Sequence, residues 1–165
     1  MNKMREIREF ENYAEMNAEH QKEVNEFPFI WVFAFSESDF IKKMTEEIVK
    51  RKPQFAEITT MEEIAKHVTS IGAGGYVFKE DVQRMNEMFE HHKVEREHFE
   101  EKEENLVERI LSEMCNHEFG YTQDPDDTLM ALGRTYEDFD NDERFARAWS
   151  KAAKKCIEDF DLWNN

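Results

Sequence analysis

The sequence predicts an α+β fold in which a small antiparallel sheet of about three strands is covered by several helices. The segment 27–35 is the most continuously apolar stretch, and its aromatic and β-branched residues suit a strand at Phe29–Phe35. Two more strand-like runs flank the glycine-rich segment 72–75, whereas apolar residues elsewhere recur mostly at helical spacing. Because both faces of Phe29–Phe35 are apolar, we expect this strand to be covered on both sides or to lie at the centre of the sheet.

The first third of the chain shows clear helix boundaries. Apolar residues recur at helical spacing within 1–26, which predicts an amphipathic N-terminal helix that ends before Pro28. Ser36 is expected to cap a second helix, which Pro53 ends. A short third helix begins at Thr60, since a glutamate follows three residues later.

The segment Gly72–Gly75 lies between the strand-like runs 67–71 and 76–78. Glycine adopts positive φ angles at little cost, so a tight hairpin turn is predicted. Backbone N–H groups of such a loop can also bind phosphate. A nucleotide-binding loop usually leads into a helix N-terminus, however, and this one leads into a strand, which favours the structural turn.

The remaining sequence is predicted to be helical. Neither Pro nor Gly interrupts it between about 80 and 115, which predicts one long helix whose glutamate-rich middle, 95–104, stands in water or is broken by charge repulsion. A short helix begins after Asp124 and ends at Gly133, and a strongly amphipathic helix ends the chain. We expect a single domain over 1–165, consisting of an N-terminal helix (1–26), a strand–helix–hairpin core (27–79) and a helical part (80–165).

Composition restricts the classes of partner. The formal net charge is −16, from 38 acidic and 22 basic side chains, and the pI is near 4.8. Such a surface repels nucleic acid and anionic lipid, so we expect no direct binding of either and a host protein with a basic surface as partner. Cys115 and Cys156 have no metal-binding spacing and indicate buried free thiols in a reducing cytoplasm, and no signal peptide is recognised.

Two acidic segments are the candidate partner-binding surfaces, either as an imitation of phosphate charge or only as a source of solubility. The candidate residues are Glu95, Glu97, Glu100, Glu101, Glu103, Glu104, Glu137, Asp138, Asp140 and Asp142.

Two alternatives remain open. His117, Glu118 and Asp124 could serve a small metal-dependent hydrolase, although adjacent residues on a helix point in different directions and a structural corner is favoured. We expect no cofactor and no catalytic residue. The chain is expected to be a monomer or a homodimer, the latter through Trp149 and neighbouring aromatic residues of the last helix, Phe160 and Trp163.

Three segments together resemble an uncharacterised family of small proteins from bacteriophages, prophages and mobile elements. They are Val32–Ser36, Ser70–Tyr76, and Asn116–Glu118 followed by Tyr121, Thr122, Asp124 and 129–133. The resemblance covers about 29–139, although Phe119, Gly120 and Gln123 depart from the family pattern. It implies a phage or mobile-element origin, an intracellular site of action and an accessory role, for which an anti-CRISPR or anti-restriction inhibitor is the most concrete form.

Overall fold

The computed structural model describes residues 5–164, and within them it contains nine α-helices and three strands. The strands are β1 Ile30–Trp31, β2 Val68–Gly72 and β3 Gly75–Phe78. The helices are α1 Tyr13–Glu26, α2 Glu37–Arg51, α3 Met61–Ala65, α4 Val82–Phe99, α5 Glu103–Asn116, α6 Phe119–Thr122, α7 Asp126–Leu132, α8 Asp138–Asn141 and α9 Glu143–Asn164. None of the described helices is long and apolar enough to cross a membrane.

The α+β prediction is confirmed, because the three strands form one antiparallel sheet among helices. The strand order is β1-β3-β2, so β3 is central and β1 is an edge strand. The expectation for Phe29–Phe35 is therefore wrong in two respects. First, the strand is limited to Ile30–Trp31. Second, only the face that carries Ile30 and Val32 is covered: Val32 is 7% exposed, whereas on the opposite face Phe33 is 73% exposed and Phe35 is fully exposed.

The chain divides into two compact units, one formed by 21–90 and the other by 1–20 together with 91–165. Helices α1 and α4 each contribute residues to both units. The single domain expected over 1–165 stays a prediction.

The core of unit 21–90 lies between the sheet and the helices that follow β1 and precede β2. Ile30, Met44, Ile48, Val68 and Phe78 are its main buried members. Both predicted caps are present: Ser36 Oγ accepts the Asp39 N–H at 3.2 Å, and Thr60 forms a complete capping box with Glu63. These caps fix where α2 and α3 begin.

The hairpin predicted at Gly72–Gly75 joins β2 to β3. Gly72 and Gly74 have φ angles of +89° and +77°, which explains why glycine is needed there. Gly75 is small for a different reason, because a Cβ at this position would lie only 2.7 Å from Trp31 Cζ3. The turn thus allows the β1 aromatic side chain to pack against the backbone of β3.

The core of the other unit is built around α5 and α9. Its buried members include Leu106, Ile110, Met114, Phe145 and Ala152. The amphipathic C-terminal helix predicted from the sequence is therefore present, and it packs against α5, α6 and α8. Cys156 is buried in this core, but Cys115 is exposed, so the prediction of two buried thiols is wrong for Cys115.

The helix predicted at about 80–115 is present as two helices, α4 and α5, separated at 100–102. Side chains satisfy the carbonyl groups at this break: Asn105 Nδ2 donates to the Phe99 carbonyl at 2.9 Å, and Arg144 donates to the Glu100 carbonyl. Because Arg144 belongs to α9, packing against α9 helps to fix the interruption.

Candidate functional site

The ten candidate acidic residues divide into two groups. Five are exposed, namely Glu97, Glu101, Glu104, Glu137 and Asp140. The other five are buried or partly buried and hold other groups in place, namely Glu95, Glu100, Glu103, Asp138 and Asp142. A continuous acidic surface over 95–104 is therefore not what the structure shows.

Within 95–104, Glu100 and Glu103 bind basic side chains of their own unit. Glu100 pairs with Arg109. Glu103 accepts Arg147 Nε at 2.6 Å and Lys151 Nζ at 2.5 Å, and these hydrogen bonds hold the pKa of Glu103 below its ordinary value. These pairs join the start of α5 to α9.

Within 137–143, two aspartates accept hydrogen bonds from backbone N–H groups. Asp138 Oδ2 accepts the Thr135 N–H at 2.8 Å, and Asp142 Oδ1 accepts the Phe145 N–H at 3.0 Å. The backbone hydrogen bond from Phe145 lowers the pKa of Asp142, and Arg134 adds to the effect. Asp142 therefore caps the start of α9, as the dipole argument expects, whereas Asp138 binds the segment that precedes α8.

Glu95 is the clearest correction, because its side chain is fully buried. Its carboxylate accepts three hydrogen bonds from Arg8: from the backbone N–H at 3.1 Å, from Nε at 2.8 Å and from Nη2 at 2.8 Å. His20 Nε2 donates to it at 2.8 Å, and His91 Nε2 lies 2.9 Å away. A helix position among glutamates was expected to face water, but here it is covered by the N-terminal segment and α1.

These contacts hold Glu95 in its charged form. Burial alone would raise the pKa of a carboxyl, but the hydrogen bonds from Arg8 and His20 outweigh it and lower the pKa of Glu95 to about 2. Burial lowers the pKa of His20 and outweighs the opposing effect of Glu95. We call this group, Arg8, His20, His91 and Glu95, the Glu95 cluster.

Aromatic packing extends the Glu95 cluster. The imidazole of His92, which is buried, stacks on His20 at 4.0 Å between ring centroids and 15° between planes. Phe10 meets the other side of His20 edge-on at 5.8 Å. The i, i+4 spacing of His91 and Glu95 is the one local signal by which part of this cluster could have been found, and no sequence signal points to the distant partners Arg8 and His20. The Glu95 cluster is therefore a buried hydrogen-bond network in which the carboxylate is paired with Arg8 and both histidines, His20 and His91.

The residues of the alternative hydrolase do not form a comparable cluster. His117 ends α5, and its Nε2 lies 3.7 Å from Glu113 Oε2 on its own helix. Glu118 is exposed in a left-handed conformation with φ of 55°, and Asp124 Oδ1 accepts the Asp126 N–H before α7. Among residues 5–164, no group of three or more His, Cys, Asp or Glu side chains is arranged to hold a metal ion.

Charge is distributed unevenly between the two units. Residues 21–90 carry nine basic and thirteen acidic side chains, a net charge of −4. Residues 1–20 and 91–165 carry thirteen basic and twenty-five acidic side chains, a net charge of −12. All five exposed candidate acids belong to the second unit, which is therefore the more acidic of the two.

Unit 21–90 instead exposes aromatic side chains along β1 and the segment after it. Trp31 is 56% exposed, and Phe33 and Phe35 are more exposed still. Lys43 binds this segment, since its Nζ donates to the Phe33 carbonyl at 2.8 Å and lies 5.8 Å from the centre of the Phe35 ring. Alternate residues of this segment point to opposite faces, as predicted, but only the face with Ile30 and Val32 is buried, and the aromatic face is exposed.

Comparison with known proteins identifies a family and no characterised relative. A model of a family of unknown function, DUF7659, matches residues 12–155. No curated protein and no solved structure matches the chain. This match confirms that the chain resembles an uncharacterised family, and the phage or mobile-element origin expected for that family stays a prediction. The matched residues span most of both units, and the chain therefore belongs to the family of unknown function DUF7659.

Proposed function

We propose that this protein acts by binding, and that the unit formed by 1–20 and 91–165 presents its exposed carboxylates to a basic surface of a host macromolecule. The observation that supports the proposal is the net charge of −12 in this unit, together with the exposure of Glu97, Glu101, Glu104, Glu137 and Asp140. Charge of one sign accelerates association with an oppositely charged surface and makes it sensitive to salt.

The carboxylates that bind within the protein have a supporting part in this proposal. Asp142 caps the start of α9, and Glu103 joins the start of α5 to Arg147 and Lys151 of α9, so the exposed acids nearby are held on ordered backbone. A preorganised charged surface loses less side-chain and backbone freedom on binding than a disordered acidic tail.

The most concrete form of the proposal is an inhibitor of a nucleic-acid-targeting defence system, of the anti-CRISPR or anti-restriction type, from a phage or mobile element. Such effectors hold nucleic acid in basic grooves. An acidic protein that occupies the groove competes with the phosphate backbone, and it acts inside the bacterial cell.

The test uses two charge-reversal variants with the same net charge. The first replaces the five exposed candidate acids with lysine. The second, a matched control, replaces five exposed acids of unit 21–90 with lysine, namely Glu26, Glu46, Glu57, Glu62 and Glu90. Either change brings the formal net charge from −16 to about −6.

The assay measures DNA binding by a panel of purified restriction endonucleases and RNA-guided nucleases, with each protein as competitor, at about 50 mM and 500 mM salt. We expect inhibition of at least one effector by the wild type and the control, weakened at high salt and lost in the first variant. Equal inhibition by both variants would show that the five candidate acids do not bind the effector and serve only solubility. Absence of inhibition across the panel would remove the anti-defence form.

A further inference from the structure

Strand β1 is an open edge of the three-stranded sheet. Among the residues that the structure describes, no strand lies beyond it, and it pairs antiparallel with β3, where Trp31 lies opposite Gly75. The Val32 N–H donates to the Gly74 carbonyl at 3.1 Å, so Val32 and its alternate neighbour Ile30 direct their backbone groups toward β3. Trp31 lies between these two residues, and its N–H and C=O therefore point to the outer edge of the sheet.

The aromatic side chains of this edge are held against the glycine-rich hairpin. A Cβ at Gly75 would lie 2.7 Å from Trp31 Cζ3, and a Cβ at Gly74 would lie 3.1 Å from Phe33 Cε1, so each ring lies directly on the backbone of a glycine. Even so, Trp31 and Phe33 are each more than half exposed. The rings are thus held on one side and open on the other, and they lose little side-chain freedom when a partner covers them.

The exposed aromatic surface is large enough for a small interface. Trp31, Phe33 and Phe35 together expose about 450–500 Å². A patch of this size is typical of an interaction surface rather than of scattered apolar residues. Two copies that meet through it bring about 900–1,000 Å² to the contact, which is close to the smallest area of a specific interface. The area therefore suits a weak and reversible dimer.

The charge around β1 favours an uncharged partner surface over a basic or an acidic one. No charged residue occurs within 27–36. Lys43, whose Nζ binds the Phe33 carbonyl, is itself paired with Asp39 at 3.0 Å. A second copy of this chain offers the same uncharged aromatic edge, and two identical strands that pair antiparallel form a self-complementary contact.

We propose that β1 is a self-association surface, on which the β1 strand of a second copy of this chain pairs antiparallel across a two-fold axis. In this dimer the Trp31 N–H and C=O form backbone hydrogen bonds with the added strand. Trp31 and Phe33 of both copies lie on one face of a continuous sheet, where aromatic cross-strand pairs stabilise the contact. The proposal is independent of the binding function proposed above, which uses carboxylates of the other unit.

Salt dependence separates this contact from the binding of a basic partner. Two copies each carry a net charge of −16 and repel each other, and salt screens this repulsion. The dimer should therefore be tighter at about 500 mM than at about 50 mM salt, whereas binding to a basic surface weakens over the same range. A dimer that is weaker at high salt would overturn the proposal, because ion pairs rather than aromatic surfaces would then hold it together.

Sedimentation equilibrium of the full-length chain in reducing buffer, from about 5 to about 500 µM, tests the proposal. We expect the wild type to change from monomer to dimer, with a dissociation constant on the order of 10–100 µM. Phe33→Ala should weaken the dimer at least about tenfold. Trp163→Ala is the control, because Trp163 is exposed on α9 in the other unit, and it should leave the dimer unchanged. A wild type that stays monomeric, or a dimer that Phe33→Ala leaves intact, would overturn the proposal.

Hydrogen exchange locates the contact without any substitution. The Trp31 N–H points to the open edge and should exchange rapidly in dilute protein, because no strand of its own sheet protects it. At a concentration at which most of the protein is dimeric, its exchange should slow at least about tenfold, whereas exchange in the central strand β3 should stay the same. Unchanged exchange of Trp31 in a sample that dimerises would overturn the proposal, because the interface would then lie elsewhere.

Discussion

Replacement of Glu95 by glutamine tests whether the buried carboxylate holds its unit together. Glutamine has nearly the same volume, but it keeps one acceptor oxygen and adds an NH₂ donor, so it cannot accept the Arg8 and His20 hydrogen bonds together. The side chain is fully buried, and water cannot replace the missing acceptor. The substitution therefore leaves donors of Arg8 and the histidines without a partner.

Two routes to the magnitude agree. A pKa lowered from 4.5 to about 2 corresponds to about 3 kcal/mol of stabilisation at neutral pH. Removal of one partner of a buried charged pair usually costs about 3–5 kcal/mol. Since domains of this size are stable by about 5–15 kcal/mol, the variant should remain folded at 25 °C but unfold at a clearly lower urea concentration.

Equilibrium unfolding in urea at pH 7 measures the effect, and Glu97→Gln is the matched control on the same helix. Glu97 is exposed, so its substitution should change the free energy of unfolding by less than about 0.5 kcal/mol. A loss for Glu95→Gln no larger than for Glu97→Gln would refute the reasoning.

The pH dependence gives a second check on the same variant. The pKa of Glu95 is lower in the folded state than in the unfolded chain, so its contribution is complete well above pH 4.5 and is lost as the pH falls toward about 2. The difference in unfolding free energy between the wild type and Glu95→Gln should shrink by about 2 kcal/mol between pH 7 and pH 3. A difference that is constant over this range would show a packing defect rather than loss of the charge.

Three further outcomes are expected. Ile30→Ala should lower the unfolding free energy by about 2–5 kcal/mol, because Ile30 is buried in the core. Phe33→Ala, on the exposed face of the same segment, should change it by less than about 0.5 kcal/mol; similar losses would contradict the burial of only one face. Thr60→Ala removes the side-chain cap of α3 and should cost about 1 kcal/mol in urea unfolding, which Thr60→Ser should largely restore. In an NMR titration, the pKa of His20 should lie below 6.5, because burial disfavours the charged imidazole. The unfolded chain then binds this proton more tightly than the folded chain, so His20 reduces stability as the pH falls below 6.5. A titration midpoint above pH 6.5 would show that the effect of Glu95 outweighs that of burial.

Local signals predicted much of the fold. Ser36 and Thr60 marked helix starts, the glycine-rich segment 72–75 marked the hairpin, and the apolar stripe marked α9. Each of these features depends on neighbouring residues along the chain, which is why a single sequence reveals it.

Features that depend on distant residues could not be predicted. Glu95 looked like one of several exposed glutamates, and its burial is made favourable largely by distant partners, Arg8 at 87 residues and His20 at 75 residues along the chain. Similarly, whether Phe29–Phe35 lies at the centre or the edge of the sheet depends on which strands pair with it, and strand order is not encoded in its own composition. For the same reason, the five candidate acids that bind within the protein could not be distinguished from the five that are exposed, and the role of the exposed ones in partner binding stays a prediction.

The exposed aromatic row along β1 has a consequence for handling the protein in solution. An edge strand with the exposed side chains of Trp31 and Phe33 favours self-association of protein molecules. The large negative charge of the chain opposes this self-association by electrostatic repulsion. Salt shortens the range of that repulsion from about 10 Å at 0.1 M to about 3 Å at 1 M. Concentrated, high-salt or mildly acidic buffers should therefore promote precipitation, and dilute, low-salt buffers near neutral pH should keep the protein dispersed.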